Sequence, residues 1–379
     1  MKEFWAEFDL LGESRKRDLI QYFVGLQEHP PSSSKGIRWE NLEDPAARQH
    51  LLAQLLASEE ECARRTKCKD YAKGKNGLQQ WYYAGDLQNP RGDFQAFLCR
   101  RLRWMGSILG LLNLHDTVGS PLPNLTLFPS GSWAVQLTFT LRKPYISKDD
   151  KDFYILDNPV KKEWVFKVPY VAPSQWKGAL RAAMTRQLAE EAGALDEKVW
   201  IERRLQLARL FGNEKGVDLD DERFEAYLDK LHPDAAEPYR QRLKEITPTG
   251  FLAGRLHFYP TFFDKIGLEV INPHDRKTGA GKGPIYFECV PADTQGVFTL
   301  LYVPLDNGPS DEATCKADLE AVARGICAML TVYGFGAKTS SGYGVVEVNK
   351  ADIQTLSLNA ETVQEVWDIL TQRHGEHGG

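Results

Sequence analysis

No stretch of the 379 residues reaches the roughly 18 consecutive apolar positions that a membrane-crossing helix needs. The opening MKEFWAEFDLL carries acids where a secretory leader would carry lysines. No membrane partner is therefore expected, and the cytoplasm is the expected location. Cysteine is sparse: six residues, Cys62, Cys68, Cys99, Cys289, Cys315 and Cys327, with no C-x-x-C pair, which excludes a dense disulfide framework. Cys62 and Cys68 stand six apart and Cys99 follows much later, a poor match to zinc-ligand spacing. Reduced thiols are expected, with Cys315 and Cys327 packing as small apolar residues of a helix. Positive charge is also lacking. A formal net charge of −5 excludes a general polyanion binder, so any nucleic-acid site must be local.

A hydrophobic content of 42% is enough for a real core. Residues 1–130 are predicted to be a helical N-terminal region. Asp44 and Pro45 make a helix start, the aspartate as N-cap and the proline at the first helical position, ahead of an apolar stripe of Leu51, Leu52, Leu55 and Leu56. A second stripe runs through Leu98, Leu102, Met105 and Leu109. Between the stripes Arg64, Arg65, Lys67, Lys69, Lys73 and Lys75 have Tyr71 among them and Trp81, Tyr82 and Tyr83 after them. Cations interleaved with rings suit single-stranded RNA; a solvated loop beside packed aromatics has the same composition.

From residue 131 the period changes. Trp133, Val135, Leu137, Phe139 and Leu141 alternate with more polar positions, the pattern of a half-buried strand. After a long polar stretch, Trp176, Leu180, Met184 and Leu188 recur at helical spacing from Ser174. An acidic, helix-favouring insertion occupies 213–250, and Leu252–Tyr259 reads as a strand. A second excursion, 260–284, precedes strands over Ile285–Val290 and Val297–Val303 and a helix with Leu319, Val322, Ile326 and Leu330 on one side. A last short strand spans Val345–Val348. The fold class is therefore α+β. Without its insertions, 131–350 reads β-α-β-β-α-β, the ferredoxin-like (RRM-like) order of RNA-recognition domains. Residues 351–379 should add a C-terminal helix capped by Asn359, with Val363, Val366, Trp367 and Leu370 on one face, and a disordered tail from His374.

The segment Gly334-Phe335-Gly336-Ala337-Lys338-Thr339-Ser340-Ser341-Gly342-Tyr343-Gly344 is the most informative. A phosphate-binding P-loop is excluded on two counts. Ala337 stands where that motif needs glycine, and this loop follows a helix and enters a strand, the reverse of a P-loop. Four glycines still allow a close backbone approach to a ligand, with a lysine and hydroxyls available to phosphate oxygens; a turn that only lets helix and strand pack is the structural alternative.

This loop resembles the glycine-rich loop of the RAMP (repeat-associated mysterious protein) superfamily of type III CRISPR effector complexes, above all the terminal Cmr-type subunit, whose loop often reads G-x-G-x-K-T-x-x-G-Y-G. Pro169 to Arg181 is similar to the superfamily's P-Y-I-P-G-S-S-L-K-G-x-x-R segment. It departs at Ala172-Pro173 for Pro-Gly and Gln175-Trp176 for Ser-Leu. Phe211-Gly212, Ala253-Gly254-Arg255-Leu256 and Val270-Ile271-Asn272-Pro273-His274 extend the likeness over about 131–350.

The resemblance implies guide-RNA backbone contacts for Lys177 and Arg181 at the helix start and for Gly336, Lys338, Thr339, Ser340 and Gly342 in the loop. It also implies a thumb-like insertion at 260–284 carrying Asn272, His274, Arg276, Lys277 and Lys282 against the guide and target RNA. Read from the residues alone, Lys177 and Arg181 could equally be an exposed i,i+4 face. Asp157, in Ile155-Leu156-Asp157-Asn158-Pro159-Val160, matches an I-D-x-P-V stretch of Csm-type backbone subunits whose aspartate cleaves target RNA, whereas the Cmr-type terminal subunit generally lacks that activity. An aspartate-led turn has the same sequence.

Three functions follow as alternatives: a guide-RNA-binding subunit of a type III effector, the same subunit with endoribonuclease activity through Asp157, and a non-catalytic adaptor without RNA contact. The implied partners are guide RNA, target RNA and the other effector subunits. No tightly bound cofactor is expected, Mg2+ or Mn2+ entering only with the catalytic reading.

Overall fold

The computed structural model describes residues 101–107, 122–148, 158–213, 224–247, 252–272, 285–304, 311–356 and 358–371. The chain forms two compact units. One comprises Met1–Asn113, Pro144–Tyr170 and Phe263–Thr294, and the other Leu114–Lys143, Val171–Phe262 and Gln295–Gly379. The segment 131–350 thus contributes to both. The basic-aromatic stretch from Arg64 and the helix expected after Asp44 lie outside the described residues; of the second N-terminal stripe, Leu102 and buried Met105 sit on a helical run over 101–107.

In chain order the elements are β1 (Trp133–Leu141), β2 (Tyr170–Val171), α1 (Pro173–Glu191), α2 (Glu197–Phe211), α3 (Phe224–Leu231), α4 (Ala236–Ile246), β3 (Leu256–Phe258), β4 (Thr261–Phe262), β5 (Gly267–Ile271), β6 (Ile285–Cys289), β7 (Gln295–Tyr302), α5 (Glu312–Ala328), β8 (Val346–Thr355) and α6 (Ala360–Thr371). A π-helical turn, Met329–Tyr333, continues α5.

The second unit is built on a four-stranded sheet ordered β3-β7-β1-β8, with every neighbouring pair antiparallel. The alternation in β1 sends Val135, Leu137, Phe139 and Leu141 into the core, all fully buried, while Gln136, Thr138 and Thr140 stay half-buried on the opposite face. The helical stripe of α1 meets that core face: the Trp176 ring lies 5.0 Å from Phe298 and 6.3 Å from Phe139, and Leu180, Met184 and Leu188 are buried behind it. Full burial of each such large side chain contributes about 1.5–3 kcal/mol. α5 packs beside α1, burying Leu319, Val322 and Ile326. Part of the other sheet face is covered by the 3-10 turn Leu125–Leu127, with Leu125 packed against Ala134, Leu301 and Val303.

The strand expected over Leu252–Tyr259 is shorter, because its first residues bond elsewhere. Asn213 N–H donates to Leu252 O and Arg255 N–H to Arg209 O, so 252–255 is tied to the end of α2 and the regular pairing with β7 covers Leu256–Phe258. The strand expected over Ile285–Val290 exists as β6 but pairs with β5 in the first unit and not with the four-stranded sheet. A period-2 pattern fixes which residues face inward and leaves the partner strand open. The last strand runs to Thr355, well past Val348, and slips register near Thr138 and Phe139, where the Asn349 amide donates to Thr140 Oγ1 at 2.8 Å. Asn359 caps α6 as expected, accepting from Thr362 N–H at 2.9 Å. Val366 and Leu370 are buried, and Trp367 is largely exposed.

The helical insertion docks on α2 through charge. Arg204, almost wholly buried, donates to Asp229 at 2.7 Å, Arg240 binds the other oxygen of the same carboxylate, and the Arg204 guanidinium lies 3.9 Å from the Tyr239 ring centroid. Arg255, part of the Ala253–Leu256 motif, is likewise structural. It donates to the Tyr302 hydroxyl at 2.8 Å; that hydroxyl donates to Asp318 at 2.9 Å, and Arg209 grips the same carboxylate from α2. Cys289, Cys315 and Cys327 are buried free thiols. Burial, with Glu269 and Glu288 nearby, pushes the Cys289 thiol far up, so it stays protonated. Among the described residues no helix is long and apolar enough to cross a membrane.

Candidate nucleic-acid interface

The chain between the π-helical turn and β8 is a closed loop. Phe335 N–H donates to Gly344 O at 3.1 Å at its base, and both flanking residues, Gly334 (φ +73°) and Gly344 (φ +71°), have positive φ. Inside, Thr339–Ser341 form one 3-10 turn, with Ser341 N–H on Lys338 O at 2.9 Å and Gly342 N–H on Thr339 O at 2.8 Å. Lys338 caps that turn in the left-handed conformation (φ 59°, ψ 29°), as Gly342 does at the other end (φ 79°, ψ 11°). For a lysine this costs about 1–3 kcal/mol, and such strain is concentrated where function requires the geometry. Gly336, Lys338 and Ser340 are exposed, and Thr339 is half-buried.

Phe335, 1% exposed, anchors the loop in the core, its ring 4.4 Å from Trp176 and 5.9 Å from Phe139. Trp176 is held in turn by its indole N–H on Thr261 Oγ1 at 3.0 Å, which donates to Val297 O at 2.6 Å. Since Trp176 belongs to the start of α1, this contact makes the loop and the segment carrying Lys177 neighbours. Ala172, preceding Pro173, offers that helix no side-chain cap. Lys177 is half-buried and Arg181 lies one turn further on, also half-buried.

Two residues not singled out in the sequence interact with these segments, one with the loop and one with Lys177. Lys143, exposed just beyond β1, donates to Ser341 O at 3.3 Å, and Arg142 N–H bonds Val345 O beside it. His257 projects from β3, and its pKa is lowered, first by burial and then by the charge of Lys177. Lysine at the end of a strand and histidine inside one carry no motif, so only the fold identifies them. Lys143 and Lys338 supply cations at this loop, and Lys177 follows Trp176 in the helix that packs against Phe335.

Asn272 is exposed at the end of β5 in the first unit, and His274, Arg276, Lys277, Lys282 and Asp157 lie outside the described residues. Val160 and Lys162, near Asp157 in sequence, engage the Glu288 carboxylate, the first through its N–H at 3.0 Å and the second through its ammonium. Among the described residues no three His, Cys, Asp or Glu side chains gather as a metal site.

The family model described as the RAMP superfamily matches residues 152–347. No curated protein matches the chain. Among solved structures, a chain from the cryo-EM structure of the type III-B Cmr-beta bound to cognate target RNA aligns with 13% identity, over 83% of this chain and 93% of that one, at a TM-score of 0.40.

Proposed function

The chain belongs to the RAMP superfamily, and from that membership we propose that it is an RNA-binding subunit of a type III CRISPR effector, holding the guide RNA by its sugar-phosphate backbone and leaving sequence choice to base pairing. The observation that carries this reading is the Phe335–Trp176 contact, which packs the glycine-rich loop, with Lys338 and Lys143, against the start of the helix that carries Lys177. The strand order β3-β7-β1-β8, with α1 between β1 and β3 and α5 between β7 and β8, supports a ferredoxin-like core for it. Target RNA and the other effector subunits are the further partners of this reading.

The test is filter binding of a guide-length RNA to the full chain. Lys338→Ala should weaken binding and lower the salt slope by about one, with the thermal midpoint unmoved because the side chain is exposed. Unchanged affinity and slope would reject the loop as an RNA contact. An adaptor without RNA contact would purify with its neighbouring subunits free of nucleic acid, visible in the 260/280 nm absorbance ratio.

A further inference from the structure

The first unit carries a feature that the glycine-rich loop does not account for. Residues 158–162 are fastened along their length: Glu288 N–H donates to Asn158 O at 2.9 Å, the Asn158 amide to Tyr286 O at 3.2 Å, and Lys161 N–H to Ser147 Oγ at 2.8 Å. The chain then turns tightly over Glu163–Lys167. Glu163 N–H bonds Val168 O at 2.8 Å and Lys167 N–H returns to Glu163 O at 3.0 Å, with Lys167 left-handed at φ 59°. The Glu163 carboxylate braces the turn from inside, accepting from Val165 N–H at 2.8 Å and Phe166 N–H at 2.6 Å.

This well-braced turn displays its largest apolar side chain: Trp164 is 74% exposed and Val165 55%. Tryptophan is highly buried on average, so an ordered turn that presents one outward is informative. The Lys167 ammonium lies 4.9 Å from the Trp164 ring centroid. Behind the tip Phe166 meets Trp104 edge-on at 5.1 Å, and the Arg101 guanidinium stands 5.2 Å from the Trp104 ring. Two ring–cation pairs thus lie in this region.

We propose that the Glu163–Lys167 turn is a nucleobase-stacking site for single-stranded RNA, with the Trp164 indole as platform and Lys167 meeting the adjoining phosphate. Among the described residues the turn itself exposes only Trp164 and Val165 as large apolar side chains, less than a protein-docking patch needs. A flat ring with an ammonium beside it matches one unstacked base and its phosphate. The Glu163 carboxylate, the one acid of the turn, is occupied by backbone N–H groups and presents less negative charge to a phosphate.

The proposal rests on the RNA-binding reading above, and the test separates the two. The full chain is titrated with a single-stranded RNA oligonucleotide and with the same oligonucleotide made abasic. Trp164→Ala should weaken binding of the intact RNA about tenfold or more. Trp164→Phe should recover most of the loss, and neither change should move the salt slope or the thermal midpoint. On abasic RNA, Trp164→Ala should have no effect, which a merely structural role would not produce. Lys167→Gln should lower the slope by about one. If Trp164→Ala leaves intact-RNA affinity unchanged while Lys338→Ala weakens it, the stacking site is refuted and the loop reading stands. If neither variant changes RNA binding, both readings fall. Loss of neighbouring subunits on purification with RNA affinity intact would make the turn a protein contact and overturn the proposal.

Discussion

Alanine placed at Gly342 and at Gly344 should separate two kinds of glycine in the same loop. Both residues are left-handed, so both substitutions carry the roughly 1–2 kcal/mol that an L side chain loses there. What differs is the neighbour. A Cβ on Gly342 would meet the flexible end of Lys143, its Nζ at 2.9 Å and Cδ at 3.5 Å, which can swing aside. A Cβ on Gly344 would collide with the Phe335 carbonyl oxygen, far inside van der Waals contact, and backbone cannot swing aside. The base of the loop must then open. That removes the Phe335 N–H bond to Gly344 O, worth about 0.5–1.5 kcal/mol, and partly withdraws Phe335 from Trp176, where complete loss of a buried phenylalanine costs about 3–5 kcal/mol. Gly344→Ala should therefore destabilise the chain by at least about 1 kcal/mol more than Gly342→Ala, read as a difference in urea midpoint at constant m value. RNA affinity should follow the same order. Equal losses of stability would refute the view that the loop is shaped by its closed base.

The Tyr302 phenol is pushed well above its usual range, first by burial and then by the Asp318 carboxylate. Because the folded state holds this proton more tightly, its contribution to stability is complete below the unfolded value of about 10 and is lost as pH rises beyond it, by up to about 1.4 kcal/mol per pH unit. Tyr302→Phe should flatten alkaline unfolding above that pH while costing about 1–3 kcal/mol near neutrality, since the hydroxyl bridging Arg255 and Asp318 is gone; an unchanged alkaline slope would refute it. For target cleavage, Asp157→Ala in the assembled complex should remove one cleavage product with guide and target binding intact. An unchanged cleavage ladder would leave the chain a non-catalytic subunit.

The sequence by itself determined the local elements and their inward faces. The Trp133–Leu141 alternation, the Trp176–Leu188 stripe and the Asn359 cap each encode a short-range geometry, set by a backbone period of 2 or 3.6 and by one side chain bonding one nearby amide. Its glycine-rich loop was likewise legible, because glycine tolerates the positive φ that Gly342 and Gly344 adopt. Long-range partners were not. That β6 pairs with β5, that 252–255 bonds the end of α2, and that Lys143 reaches Ser341 depend on contacts between residues far apart in the chain, which no local period records. The same holds for Trp164. In sequence it is one more aromatic residue, and only the hydrogen bonds that brace its turn while leaving the indole exposed single it out. Burial is decided by which surfaces meet, and those surfaces exist only once the chain has folded.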